Sequence, residues 1–70
     1  MPETYTPAVF DELTKGDIVA VKYDGQVKEG EFGGWARSRR GTYFLTLYGK
    51  VPIPTKLVEQ VWIRIPAGCL

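Results

Sequence analysis

Apolar and polar residues alternate strictly from Thr42 to Tyr48. Tyr43, Leu45 and Leu47 fall on one side of an extended segment, and Thr42, Phe44, Thr46 and Tyr48 on the other. That period predicts a half-buried antiparallel strand. The stretch before it, Phe32 to Ala36, pairs with it through a tight basic hairpin, Arg37-Ser38-Arg39-Arg40-Gly41. Two further alternating runs have the same character. In Asp17–Tyr23, Val19, Val21 and Tyr23 share one face, and Ile18, Ala20 and Lys22 the other. In Glu59–Ile65, Val61, Ile63 and Ile65 point inward, and Gln60, Trp62 and Arg64 outward. Their β-branched content suits a pleated surface with one side in the core.

The intervening stretches complete the expected order. Gln26 to Ala36 is a strand interrupted by Gly30, Gly33 and Gly34; glycines inside a strand mark a bulge or a sharp bend. Asp24-Gly25 and Tyr48-Gly49-Lys50 are turns. Val51-Pro52-Ile53-Pro54 is extended, and its two prolines remove two ladder donors, so it belongs at a sheet edge or beside a gap in pairing. Prolines there also guard an edge against a further strand. Thr55 to Val58 forms one helical turn. Near the N-terminus, Thr6 to Leu13 reads as one or two helical turns, with Thr6 as N-cap, Pro7 in the first position and Val9, Phe10 and Leu13 on one face; Gly16 ends it. The expectation is an all-β, five-stranded small barrel with a short N-terminal helical turn and one helical turn before the last strand. Residues 1–7 are expected as a flexible arm, 8–66 as a single barrel domain and 67–70 as a tail.

With 70 residues the chain is one domain at most. A core of this size supplies roughly 3–5 kcal/mol of net stability. Cys69 is the single cysteine and there is no histidine, so neither an internal disulfide nor a Cys/His metal set can staple it. No metal or cofactor is expected, and self-association is the staple that remains. No apolar run approaches the length of a membrane span, about 18 residues, and Met1 to Pro7 carries no basic-then-apolar signal segment. A soluble cytoplasmic protein without membrane partners is therefore expected.

Charge is small in total and uneven in place. The net charge is +1, but residues 1–36 hold seven acids against three lysines, and residues 37–70 hold six bases against one acid, Glu59. The asymmetry creates a basic face unless the two halves interleave and neutralise each other. Enzymatic chemistry has little to work with. Ser38 is the only serine and has no histidine as its base. Glu29 and Glu31 share a strand face, but a barrel this small seldom encloses the dry cleft that paired carboxylates need. No catalytic activity is expected.

Arg37, Arg39 and Arg40 are the sharpest lead, because forked guanidinium donors match phosphate oxygens. Aromatic rings beside such cations suit the stacking of unpaired bases. Phe44 follows the hairpin, and Trp62 shares an outward face with Arg64. The expected nucleic-acid contacts, for DNA or RNA, are thus Arg37, Arg39, Arg40, Phe44, Trp62 and Arg64. Trp35 and Trp62 are equally suited to closing the ends of a small core. The competing expectation is a protein-interaction module or self-assembling homo-oligomer, since tryptophan, tyrosine and arginine also dominate protein interfaces.

The order of elements resembles the Src-homology-3-like small barrels, which place a single helical turn before their last strand, where Pro54 to Val58 stands here. Lys15-Gly16-Asp17-Ile18-Val19-Ala20-Val21, with Gly25 and Lys28-Glu29-Gly30, resembles the KOW motif of ribosomal proteins and transcription elongation factors that contact RNA. That similarity covers about fifteen residues of the chain, and the basic loop lies later here, at Arg37 to Arg40. Gly16-Asp17 before Val19, Gly34-Trp35, and Val51-Pro52-Ile53-Pro54 ahead of Leu57 and Glu59 are similar in layout to the type II plasmid-borne dihydrofolate reductases. Those are tetrameric small barrels whose pore, lined by a Val-Gln-Ile-Tyr run, binds folate and NADPH. Here Pro52 and Pro54 stand in place of that glutamine and tyrosine and remove the pore's polar groups, so the resemblance does not carry the activity.

Overall fold

The computed structural model describes residues 4–65. It is an antiparallel sheet of six strands: β1 Tyr5–Ala8, β2 Ile18–Tyr23, β3 Gln26–Arg37, β4 Tyr43–Leu47, β5 Val51–Pro54 and β6 Val58–Arg64, in the spatial order β1-β6-β2-β3-β4-β5. Two 3₁₀ turns complete it, Phe10–Glu12 after β1 and Thr55–Leu57 before β6. Among the described residues no helix is long and apolar enough to cross a membrane.

The all-β expectation holds, and the alternating runs become strands within one or two residues of their expected ends. Two expectations are corrected. The sheet is open, with β1 and β5 at its edges, so it is not closed into a barrel, and it has six strands rather than five. The extra strand comes from the segment expected as an arm and helical turn. Tyr5 to Ala8 pair with Arg64 to Val61, because an extended chain here can use the free edge of β6. The helical turn is real but starts at Phe10 instead of Thr6. Glu12 closes it, accepting a hydrogen bond from the Val9 N–H at Oε1 (3.0 Å) while its own N–H donates to the Val9 carbonyl (3.0 Å). Pro66, the tail and Cys69 lie outside the described residues.

The core lies on one face of the curled sheet. Val19 and Val21 of β2 register with Ile63 and Val61 of β6 and are fully buried. They meet Phe32, Leu45, Leu47 and Ile53 from β3, β4 and β5, with Leu13 and Ala8 closing the N-terminal side. The outer face of β6 carries Trp62 and Arg64 as expected, with Trp62 half-buried and Arg64 exposed.

Both edges carry proline. Ile65 N–H donates to the Thr4 carbonyl (2.6 Å), and since hydrogen-bonded and non-bonded pairs alternate along an antiparallel ladder, Pro7, opposite Trp62, falls at a non-bonded pair. Pro52 and Pro54, opposite Thr46 and Phe44, also take positions that donate nothing to β4. At all three the missing N–H would have faced outward, so each edge lacks donors where a further strand would need them.

Candidate functional site

One extra residue in β3 shapes the site. Phe32 registers with Leu47, but Gly34 registers with Thr46 and Trp35 with Leu45. Phe32 and Trp35 therefore lie on the same face although they are three residues apart, and strict alternation would have separated them. The two glycines at the bulge serve different needs. A Cβ on Gly33 would run into the Gly49 nitrogen, so the backbones touch there, and Gly34 adopts φ +102. The Thr46 hydroxyl donates to the Gly34 carbonyl (2.8 Å), pairing the acceptor that the bulge frees. As a result Trp35 and Arg37 stand on the core side of the sheet, where the core opens to solvent.

The hairpin beyond them is built by Ser38. Its N–H donates to the Thr42 carbonyl (2.9 Å), its carbonyl accepts from the Gly41 N–H (3.0 Å), and its Oγ accepts from the Thr42 N–H (3.1 Å). Arg39 and Arg40 are the two central residues of this turn and are exposed at its tip. Arg37 and Tyr43 face each other across the stem. The Arg37 guanidinium lies 5.5 Å from the centre of the Tyr43 ring, within the range of a cation–π contact.

Below the hairpin, Phe10, Asp11, Leu13, Trp35, Tyr43 and Thr55 line an open groove of about 600 Å³. Trp35 meets Phe10 edge to face (centroids 5.3 Å apart) and Phe32 likewise (5.1 Å), which holds the indole while leaving it 44% exposed. Tyr43 is 53% exposed. The rims differ in charge: Arg37 and the hairpin tip stand beside the Tyr43 wall, and Asp11 on the wall made by the first 3₁₀ turn. A smaller cleft of about 280 Å³ lies between Ala8–Phe10 and Val58–Val61. Phe10 is its only ring, whereas Phe10, Trp35 and Tyr43 line the wider groove, with Arg37 against the Tyr43 ring.

The expected site residues fall in three places. Arg37, Arg39 and Arg40 come together at the hairpin and are exposed. Phe44, opposite Ala36 and Pro54, is on the other face of the sheet and half-buried. Trp62 and Arg64 belong to β6, with β2 and β3 between them and the hairpin strand β4. Arg64 is opposite Tyr5, whose phenol is pushed above its ordinary value by burial first and then by the Glu29 carboxylate, with Arg64 pulling the other way. Sequence reasoning missed two rings of the groove, Tyr43 and Phe10, and left Trp35 open between core and surface. The signal was the Gly33-Gly34 pair: counting one bulged residue there moves Trp35 and Arg37 onto the face of Phe32. No protein-family model, curated protein or solved structure matches the chain.

Proposed function

We propose that this chain is a non-catalytic nucleic-acid-binding module whose contact surface is the Arg37–Arg40 hairpin together with the aromatic groove beneath it. The observation that carries the proposal is the Arg37 guanidinium against the exposed Tyr43 ring, next to a half-open Trp35 and below Arg39 and Arg40. Cations that neutralise phosphates and rings that stack bases then lie along one path. The ring role passes from Phe44 and Trp62 to Tyr43 and Trp35. The Thr55–Leu57 turn leads directly into β6, which is the arrangement on which the resemblance to the Src-homology-3-like barrels rests.

Replacing Arg37, Arg39 and Arg40 together with alanine tests this. All three are exposed, so the circular dichroism spectrum should be unchanged while binding to mixed DNA and RNA oligonucleotides is lost. Undiminished binding by the triple variant overturns the assignment. The alternative, a protein-interaction or self-assembling module, would use the same groove for an apolar side chain. Its affinity would then change little with salt, whereas phosphate binding falls steeply as salt rises. The proline-bearing edges weigh against assembly by strand addition.

A further inference from the structure

Resting on that reading, we infer that the groove takes a single unpaired base and that Asp11 selects guanine among the four.

A base inside a duplex has both faces covered by its neighbours, so it cannot enter a groove whose walls are rings. A splayed-out base can, and it stacks on aromatic side chains. The charge on the rims orients it. Phosphates are drawn to the side of Arg37, Arg39 and Arg40 and repelled from the side of Asp11. A strand following the hairpin rim therefore points its base across Tyr43 and Trp35 toward the Asp11 wall.

The carboxylates near that wall are not equivalent. Glu12 accepts the Val9 N–H, and Asp17 accepts the Thr14 N–H at Oδ2 (3.0 Å). Asp11 has no hydrogen-bond partner among the described residues, and it lines the groove. An ionised carboxylate only accepts, so the base edge that suits it is the one richest in donors. Guanine presents a ring N–H beside an exocyclic amine, two parallel donors for the two oxygens. Cytosine and adenine offer an amine next to a bare ring nitrogen, itself an acceptor. Uracil and thymine offer one N–H between two carbonyl oxygens, which the carboxylate repels. The expected order is guanine first, then cytosine and adenine, with uracil and thymine last.

The test uses the full chain and short oligouridylates and oligothymidylates in which one central nucleotide is exchanged for each of the other bases, read by fluorescence anisotropy at low salt. The guanine-bearing strand should bind about tenfold more tightly than the unsubstituted one, as for a two-donor base contact, and annealing it to its complement should remove that gain. In Asp11→Asn the gain should shrink to about twofold or less, with the unsubstituted strand binding more tightly because the repelling carboxylate is gone, and with the circular dichroism spectrum retained. Equal affinity for all four bases, or a guanine gain that survives annealing or the Asp11→Asn change, overturns this inference and leaves the nucleic-acid reading standing. An absence of binding to every oligonucleotide overturns both.

Discussion

Trp35-Ala36-Arg37 and Trp62-Ile63-Arg64 are the same local pattern, a tryptophan and an arginine two residues apart on a strand, yet the molecule uses them in opposite ways. On β6 the ladder runs without an extra residue at this point, so Trp62 and Arg64 stay on the outer face. There Arg64 is paired in register with Tyr5, and both Arg64 and the Glu29 carboxylate act on its phenol. On β3 the bulge at Gly33 rotates the strand, and Trp35 and Arg37 arrive on the core side at its open end, among Phe10, Phe32 and Tyr43. One pattern ends on the outer surface; the other ends as the wall of a groove, with Arg37 against the Tyr43 ring. Adjacent residue types do not make a site. The backbone irregularity is what gathers rings from several elements into one groove.

The largest expected effect comes from removing that irregularity. Gly33→Ala places a Cβ against the Gly49 backbone, which cannot move aside as a side-chain end would. A cost of about 3 kcal/mol would consume most of a net stability of roughly 3–5 kcal/mol. The thermal midpoint should fall by about 10 °C or more, measured by circular dichroism. A variant as stable as the parent would mean that the bulge does not rest on this close approach.

Next in size is the contrast between the two tryptophan–arginine pairs in binding. Trp35→Ala should weaken oligonucleotide affinity by about tenfold, the scale of one lost stacking platform, and Trp62→Ala should leave it nearly unchanged. Likewise Arg37→Gln should reduce the slope of log affinity against log salt by about one phosphate contact, and Arg64→Gln should not. Titrations at several salt concentrations decide it, and equal losses from the two pairs would erase the distinction drawn between them.

The smallest effect belongs to the outer face. Burial and then Glu29 raise the Tyr5 phenol above its ordinary value of 10.0. A raised folded-state value means that the folded chain holds this proton more tightly than the unfolded chain does. The contribution is complete below about pH 10 and is lost as pH rises through the folded-state value. Tyr5→Phe should therefore flatten the alkaline arm of the stability–pH curve in denaturant melts, with the parent losing more stability between neutral pH and pH above about 10.

Much of the architecture could be read from residue order. Alternation placed β2, β4 and β6, and the inward face of β6, because one buried side of a pleated strand imposes a period of two. Pro52 and Pro54 announced an edge, because they cannot donate to a ladder, and Thr55–Leu57 was visible as a turn. The hairpin arginines were equally legible, since a short polar loop between two strands has nowhere to go but solvent. Phe44 was a natural ring to choose by proximity in sequence; alternation itself sends it to the face away from Tyr43 and Arg37.

Pairing across the sheet settled what local pattern left open. Whether Tyr5 to Ala8 is an arm or a strand depends on the free edge of β6, more than fifty residues away in the chain. Whether the sheet closes depends on how its two proline-bearing edges approach each other. The direction of Trp35 depends on a single unpaired residue, Gly33, tolerated because the Gly49 backbone passes against it. Period-two reasoning covers what one strand does with its own neighbours. Register shifts and edge partners are set by contacts between distant segments, and those exist only once the chain has folded.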